Sequence, residues 1–116
     1  MTVTVSPSTN TVILGTSSVT IQCTVQGTHP ATSWEWTKTP INGGTQTVIA
    51  QGTNDGHLQV VNSATNPNLI ISNIVEADEA VYRCRANNGA GQVTSQSSTL
   101  VVNGGIYKLT IYCIME

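Results

Sequence analysis

The chain has 116 residues, the size of one domain, and only 9% of them are charged: four Lys or Arg and six Asp or Glu. A net charge of −2 excludes the strongly basic surface of nucleic-acid-binding proteins, and the chain lacks the run of about 18 apolar residues needed to span a bilayer. The hydrophobic content of 39% suffices for a core and is too high for a disordered chain.

Short β-strands are predicted along the chain, because apolar and polar residues alternate in one segment after another. The first strand begins near Met1 without the basic and apolar regions of a signal peptide, so we expect Met1 to be an initiator added to an excised fragment. Turn residues separate the strands, which are predicted at 3–5, 11–14, 19–25, 33–38, 45–51, 57–62, 69–74, 81–87 and 92–102. The only helix-prone stretch is one turn at 75–80, so the pattern is typical of an all-β sandwich or barrel.

The cysteines and histidines argue against a metal site and against catalysis. Cys23, Cys84 and Cys113 lack the close pairs that zinc sites need. His29 and His57 are far apart, and neither has a Cys or a pair of carboxylates nearby in the sequence. We therefore expect no enzymatic activity, no metal and no cofactor.

The second cysteine ends a recognisable motif. The run Asp78-x-Ala80-x-Tyr82-x-Cys84 resembles the signature of the immunoglobulin superfamily. The spacing of residues before and after this run is similar to that of the family's I-set variant, over residues 3 to 103. The other matching positions are Pro7, Gly15, Val19, Ile21, Cys23, Val25, Gly27, Pro30, Trp36, Leu69, Ile71, Ile74, Ala86, Asn88, Gly91, Leu100 and Val102.

This resemblance implies an immunoglobulin-like Greek-key β-sandwich of two antiparallel sheets, formed by residues 1–103, with 104–116 as a tail or the start of a following segment. It also implies a disulfide between Cys23 and Cys84, which would stabilise the fold by about 4 kcal/mol through loop closure. Trp36 would pack against that bridge.

The same resemblance gives structural roles to four further residues. Tyr82 would form a tyrosine corner, with its hydroxyl bonded to the backbone of the turn before it. Asp78 would cap that turn, and Leu69 and Ile71 would lie in the core.

Three departures from the family pattern lead to specific expectations. The family often pairs the residue at the Asp78 position with a basic residue at the start of the strand that it labels D. No Lys or Arg lies between Lys38 and Arg83 in this chain, so His57 is the candidate replacement. The long separation of Cys23 from Cys84 predicts an extra strand or long loop between 45 and 62. Trp34 is expected to fill the end of the sandwich, with an exposed binding aromatic as the alternative.

Binding candidates come from strand alternation. With Tyr82, Cys84 and Ala86 facing inward, Arg83 and Arg85 must face outward. Glu35 and Thr37 are expected on the same outer face, where a cross-strand ion pair or a binding surface would follow.

Loops and the acidic turn provide weaker candidates. The polar loops 27–32, 52–56 and 87–91, which contain His29 and Asn88, are expected at one end of the domain. Glu76, Asp78 and Glu79 cluster at one turn, where a solvated turn is favoured over a calcium site. No Asn-x-Ser/Thr sequon is present, so we expect no N-glycans.

Residues 106–116 are apolar and β-prone, and they follow Gly104 and Gly105. Three interpretations remain open for this tail: an added strand, the start of a following domain, or a disordered or non-native extension. As an added strand, or through Cys113, it could join a second copy.

The expected function is an extracellular recognition module in cell adhesion or innate immunity. Its partner would be a protein ligand or a second copy bound through a sheet face, with microbial surface glycans as a further possibility, and neither nucleic acid nor membrane insertion is expected. The alternative is an intracellular, sarcomere-type structural domain. The scarcity of Lys and Glu and the implied disulfide favour the extracellular class.

Overall fold

The structure, a computed structural model, describes residues 1–104. Two β-sheets contain nearly all of the regular structure, as predicted. The strands are β1 (Thr2–Ser6), β2 (Thr9–Ile13), β3 (Ser18–Gln26), β4 (Ser33–Pro40), β5 (Thr47–Ala50), β6 (Leu58–Val60), β7 (Leu69–Ser72), β8 (Ala80–Asn87), β9 (Gln92–Thr94) and β10 (Ser98–Asn103), with one 3₁₀ turn at Glu76–Asp78. None of the helical structure in residues 1–104 has the length and apolarity to cross a membrane.

One sheet has the strand order β1-β3-β7-β6, and the second has the order β2-β10-β8-β4-β5, with β9 beside β8. The chain crosses from the first sheet to the second at Pro7, between β1 and β2. Because the chain keeps its direction there, β2 pairs with β10 in parallel, whereas purely antiparallel sheets were expected.

The core forms because alternate residues of each strand face the opposite sheet. On β3, Val19, Ile21, Cys23 and Val25 are buried while their neighbours are exposed. The largest buried side chain is that of Trp36, and full burial of a large apolar side chain stabilises a fold by about 1.5–3 kcal/mol. Other buried core side chains are Leu69, Ile71, Ile74, Tyr82, Cys84 and Leu100.

The last predicted strand, 92–102, is interrupted at Ser95. The Ser95 hydroxyl accepts a hydrogen bond from the Cys84 N–H at 3.0 Å and donates to the Gln96 carbonyl at 2.7 Å. The Ser95 hydroxyl thus takes the place of a backbone carbonyl as the acceptor for Cys84, while the Ser95 N–H still donates to the Cys84 carbonyl at 2.8 Å. The strand divides here into β9 and β10.

The interval 45–62, where an extra strand or a long loop was expected, contains a short strand and a tight hairpin. β5 adds a strand beside β4, and a tight hairpin follows, in which Thr53 accepts from the Val60 N–H at 2.8 Å and Leu58 accepts from the Asp55 N–H at 3.1 Å. The predictions for residues 105–116, including Cys113, lie outside the described residues.

Candidate functional site

Cys23 and Cys84 form the predicted disulfide, with their Cα atoms 6.3 Å apart. The bridge joins β3 of one sheet to β8 of the other. Trp36 on β4 lies directly opposite Cys84, and its indole Nε1–H donates to the Pro67 carbonyl at 2.6 Å. These contacts hold the two sheets together at the centre of the core.

The segment 61–68 supports this centre in a way that the sequence did not indicate. The Asn68 side-chain oxygen accepts from the Cys23 N–H at 3.0 Å, and the Thr65 carbonyl accepts from the Val25 N–H at 2.9 Å. The segment therefore continues the hydrogen bonding of the first sheet beside β3, although it is a loop. In the sequence, Pro67 indicated only that this segment is a loop.

Asp78 organises the turn that leads into β8. Its carboxylate Oδ2 accepts from the Val75 N–H at 2.8 Å, and its carbonyl accepts from the Tyr82 hydroxyl at 2.6 Å, which is the geometry of a tyrosine corner. Burial, followed by the nearby negative charge of Asp78, raises the pKa of Tyr82. The phenol therefore stays protonated in the folded protein well above the pH at which a free tyrosine ionises.

His57 takes the place of the missing basic residue. Its Nε2–H donates to Oδ1 of Asp78 at 2.8 Å, and Asp78 is only 2% exposed. Asp55 fixes the position of His57, because its Oδ1 accepts from the N–H groups of His57 at 2.9 Å and Leu58 at 2.7 Å. These backbone hydrogen bonds lower the pKa of Asp55.

The acidic cluster is therefore a structural turn. Asp78 is engaged as described, and Glu79 Oε1 accepts from the Val102 N–H at 2.9 Å, so that this turn is tied to β10. No group of three or more potential metal ligands is found among residues 1–104.

The binding candidates lie on the outer face of the second sheet, which we name the charged face and define by Glu35, Thr37, Arg83 and Arg85. Glu35 is directly opposite Arg85, and the two side chains form an ion pair. Arg83 is half-buried and forms no ion pair with any residue in 1–104.

Thr37 is not available as an exposed contact residue, contrary to expectation. It faces the outer side of β4 but is only 2% exposed. β4 is an interior strand of this sheet, and the short Thr37 side chain lies between those of Val48 on β5 and Arg83 on β8. Its place in an interior strand, with a paired strand on each side, leaves little of this short side chain exposed.

The candidate loops do not all meet at one end. Loops 27–32 and 87–91 do, since the Thr32 N–H donates to the Asn87 carbonyl at 2.7 Å. His29 is exposed there, whereas the Asn88 side chain caps its own turn by accepting from the Ala90 N–H at 3.0 Å.

Segment 52–56 instead leads away from this end to the Asp78 turn, because it pairs with β6 and precedes His57. Loop 61–68 lies nearer to the loop end than segment 52–56 does, because its Thr65 carbonyl accepts from the N–H of Val25, just before loop 27–32. The ladder between β4 and β8 separates the loop end from the middle of the charged face: Ser33 pairs with Asn87, and Thr37 pairs with Arg83 four residues further along.

Trp34 fills the end of the sandwich, as expected. It is half-buried and packs against the core, with its indole nitrogen buried and without a hydrogen-bond partner in the described part of the chain. The alternative of an exposed binding aromatic does not apply.

The outer face of the first sheet differs from the charged face in chemistry. Strands β1, β3, β6 and β7 contain no charged residue, and their exposed side chains are mainly Thr, Ser and Gln. The two outer faces can therefore be compared within one molecule.

A two-sheet sandwich with a bridging disulfide, a tryptophan packed at its centre and a tyrosine corner defines an immunoglobulin-like domain. A family model, the immunoglobulin I-set domain, matches residues 1–102, and the chain belongs to that family. None of the curated proteins matches the chain significantly. Domains of this family are typically binding modules without enzymatic activity, so the chain is a protein-interaction module, and its disulfide is consistent with an extracellular location.

Proposed function

We propose that this domain is an extracellular recognition module that binds a protein ligand through the charged face and catalyses no reaction. Residues 1–103 are the folded unit in this proposal. The proposal includes two biological roles. In cell adhesion the ligand is a host ectodomain, and in innate immune recognition the ligand belongs to a microbial surface.

The observation that carries the proposal is the distribution of charge. Of the ten charged residues in the chain, three lie on the charged face, and none lies on the strands of the first sheet. Arg83 has a guanidinium that no acidic residue in 1–104 neutralises, and arginine is enriched among residues that dominate binding energy. An acidic group on a ligand would complete this ion pair next to the Glu35–Arg85 pair.

Protein is favoured over glycan as the ligand. Sites for small ligands are usually concave and lined with aromatic side chains. The aromatic residues within 1–104 are Trp34, Trp36 and Tyr82, and each of them is buried or half-buried. Flat sheet faces of this kind suit a protein surface instead.

The disulfide and the low content of Lys and Glu favour an extracellular site over a sarcomere-type structural role. Expression of the domain in a secretory pathway and in a reducing cytosol separates these alternatives. The proposal expects the Cys23–Cys84 bridge and full solubility only in the secretory product. Equal stability of the reduced, cytosolic product would support the intracellular role.

A binding screen tests the ligand class. The domain is presented to a panel of purified host ectodomains and, in parallel, to microbial glycans. Arg83→Ala tests the charged face. Thr24→Ala is its matched control, since Thr24 is exposed on β3, on the outer face of the first sheet. The proposal expects an ectodomain that the wild type and Thr24→Ala bind and Arg83→Ala does not. Binding to glycans alone, or binding that Arg83→Ala retains in full, would overturn it.

A further inference from the structure

Strand β5 forms an open edge of the second sheet. It pairs with β4 and has no strand on its other side among residues 1–104. In an antiparallel strand, alternate residues direct their N–H and C=O groups away from the neighbouring strand. The outer edge of β5 therefore presents backbone hydrogen-bonding groups, next to a Val48 side chain that is 55% exposed.

This edge is short, at four residues, but it lacks two other features that normally prevent strand pairing between molecules, namely charged side chains and proline. No charged residue occurs from 39 to 54, and the segment 45–51 contains neither Pro nor Gly. The corresponding edge of the first sheet is protected, because the Thr53 carbonyl accepts from the Val60 N–H at 2.8 Å and so covers β6. The other edge strands of the two sheets, β1 and β2, lie on either side of Pro7, and proline is one of the residues that hinder strand pairing at an edge.

We propose that β5 pairs with β5 of a second copy of this chain, antiparallel about a two-fold axis, in a register centred on Val48. Residues directly opposite each other in an antiparallel pair project from the same face. In this register the exposed Val48 side chain contacts Val48 of the second copy, and Thr47 lies opposite Ile49. Because 39–54 is uncharged, no like charges meet, and the interface is self-complementary.

The pairing extends the sheets of the two copies into one continuous sheet, with both charged faces on the same side. Two strands of four residues bury less area than a standard protein interface, so we expect a weak dimer, with a Kd of about 0.1 to 1 mM. Copies anchored close together would bind more tightly through multivalency. This inference does not rest on the proposed function, because it depends on the backbone of β5 and not on Arg83.

Sedimentation equilibrium of the full chain tests the inference, over concentrations from about 10 µM to about 1 mM. All proteins carry Cys113→Ser, so that no dimer arises from a covalent link through that residue. The test variant is Val48→Lys, which places a positive charge at the centre of the pairing. The matched control is Thr11→Lys, since Thr11 is exposed on β2 at the opposite edge of the same sheet.

We expect reversible dimerisation that Val48→Lys weakens at least tenfold and Thr11→Lys changes less than twofold. A monomer at every concentration would overturn the inference. So would a dimer that Val48→Lys leaves intact, or one that both variants weaken equally, since the first places the contact elsewhere and the second indicates a general effect of charge.

Discussion

The contact between His57 and the buried Asp78 carboxylate makes a quantitative prediction. Replacing His57 with Ala removes the hydrogen bond from Nε2–H to the buried Asp78 carboxylate. Hydrogen bonds to charged groups contribute about 1.5–3 kcal/mol. The His57 side chain is 37% exposed, which places the expected loss of unfolding free energy at the lower end, about 1.5 kcal/mol.

Asp78→Ala removes the same hydrogen bond and also the cap on the Val75 N–H, which adds about 1 kcal/mol. The His57→Ala/Asp78→Ala double variant should therefore cost little more than Asp78→Ala alone, with a coupling energy of about 1.5 kcal/mol. Urea unfolding followed by tryptophan fluorescence measures all four proteins, and His57→Ala should lower the midpoint by about 1 M.

His29→Ala is the matched control, because His29 is exposed on a loop, and its unfolding free energy should change by less than about 0.5 kcal/mol. The backbone N–H of His57 keeps its bond to Asp55 in the Ala variant, so the turn itself is preserved. A coupling energy below about 0.5 kcal/mol would refute the view that His57 replaces the family's basic residue in stabilising this turn.

Three other predictions concern stability. Replacing Cys23 and Cys84 together by Ala should cost about 4 kcal/mol in urea unfolding, from the loss of loop closure over a separation of 61 residues; a loss below 1 kcal/mol would contradict it. The raised pKa of Tyr82 means that the unfolded chain loses the phenol proton near pH 10 while the folded chain keeps it, so the unfolding free energy should fall as pH rises above 10. Tyr82→Phe should abolish this part of the pH dependence of stability, and an unchanged pH dependence in that variant would contradict the prediction. The coupling energy of Glu35 with Arg85, from a double-mutant cycle, should stay below about 1 kcal/mol, because both side chains remain partly exposed; a larger value would make the pair a main stabiliser.

The strand β8 shows what the sequence predicts well. A strand has a period of two, so one inward residue, Cys84, determines that Tyr82 faces in and that Arg83 and Arg85 face out. The disulfide was implied by the motif, and the contact of Asp78 with His57 was predicted because no Lys or Arg stood at the required place. These features depend on local spacing or on residue identity, which the sequence contains.

The errors came from contacts between distant segments. Thr37 faces outward as its position requires, but its burial depends on the strands that pair with β4 on either side, and these come from distant parts of the chain. The division of the last strand depends on a hydroxyl-to-backbone hydrogen bond of Ser95. The support that Asn68 gives to Cys23 likewise joins segments that no pattern in the sequence connects.

The most direct test of the proposed role of the charged face is the Kd of an ectodomain ligand for three proteins: the wild type, Arg83→Ala and Thr24→Ala. Surface plasmon resonance measures each Kd, and thermal unfolding confirms that the variants remain folded. The proposal predicts that Arg83→Ala weakens binding at least about tenfold, equivalent to about 1.4 kcal/mol, while Thr24→Ala stays within about twofold. Weaker binding by Thr24→Ala with unchanged binding by Arg83→Ala would place the interaction on the uncharged sheet and contradict the proposal.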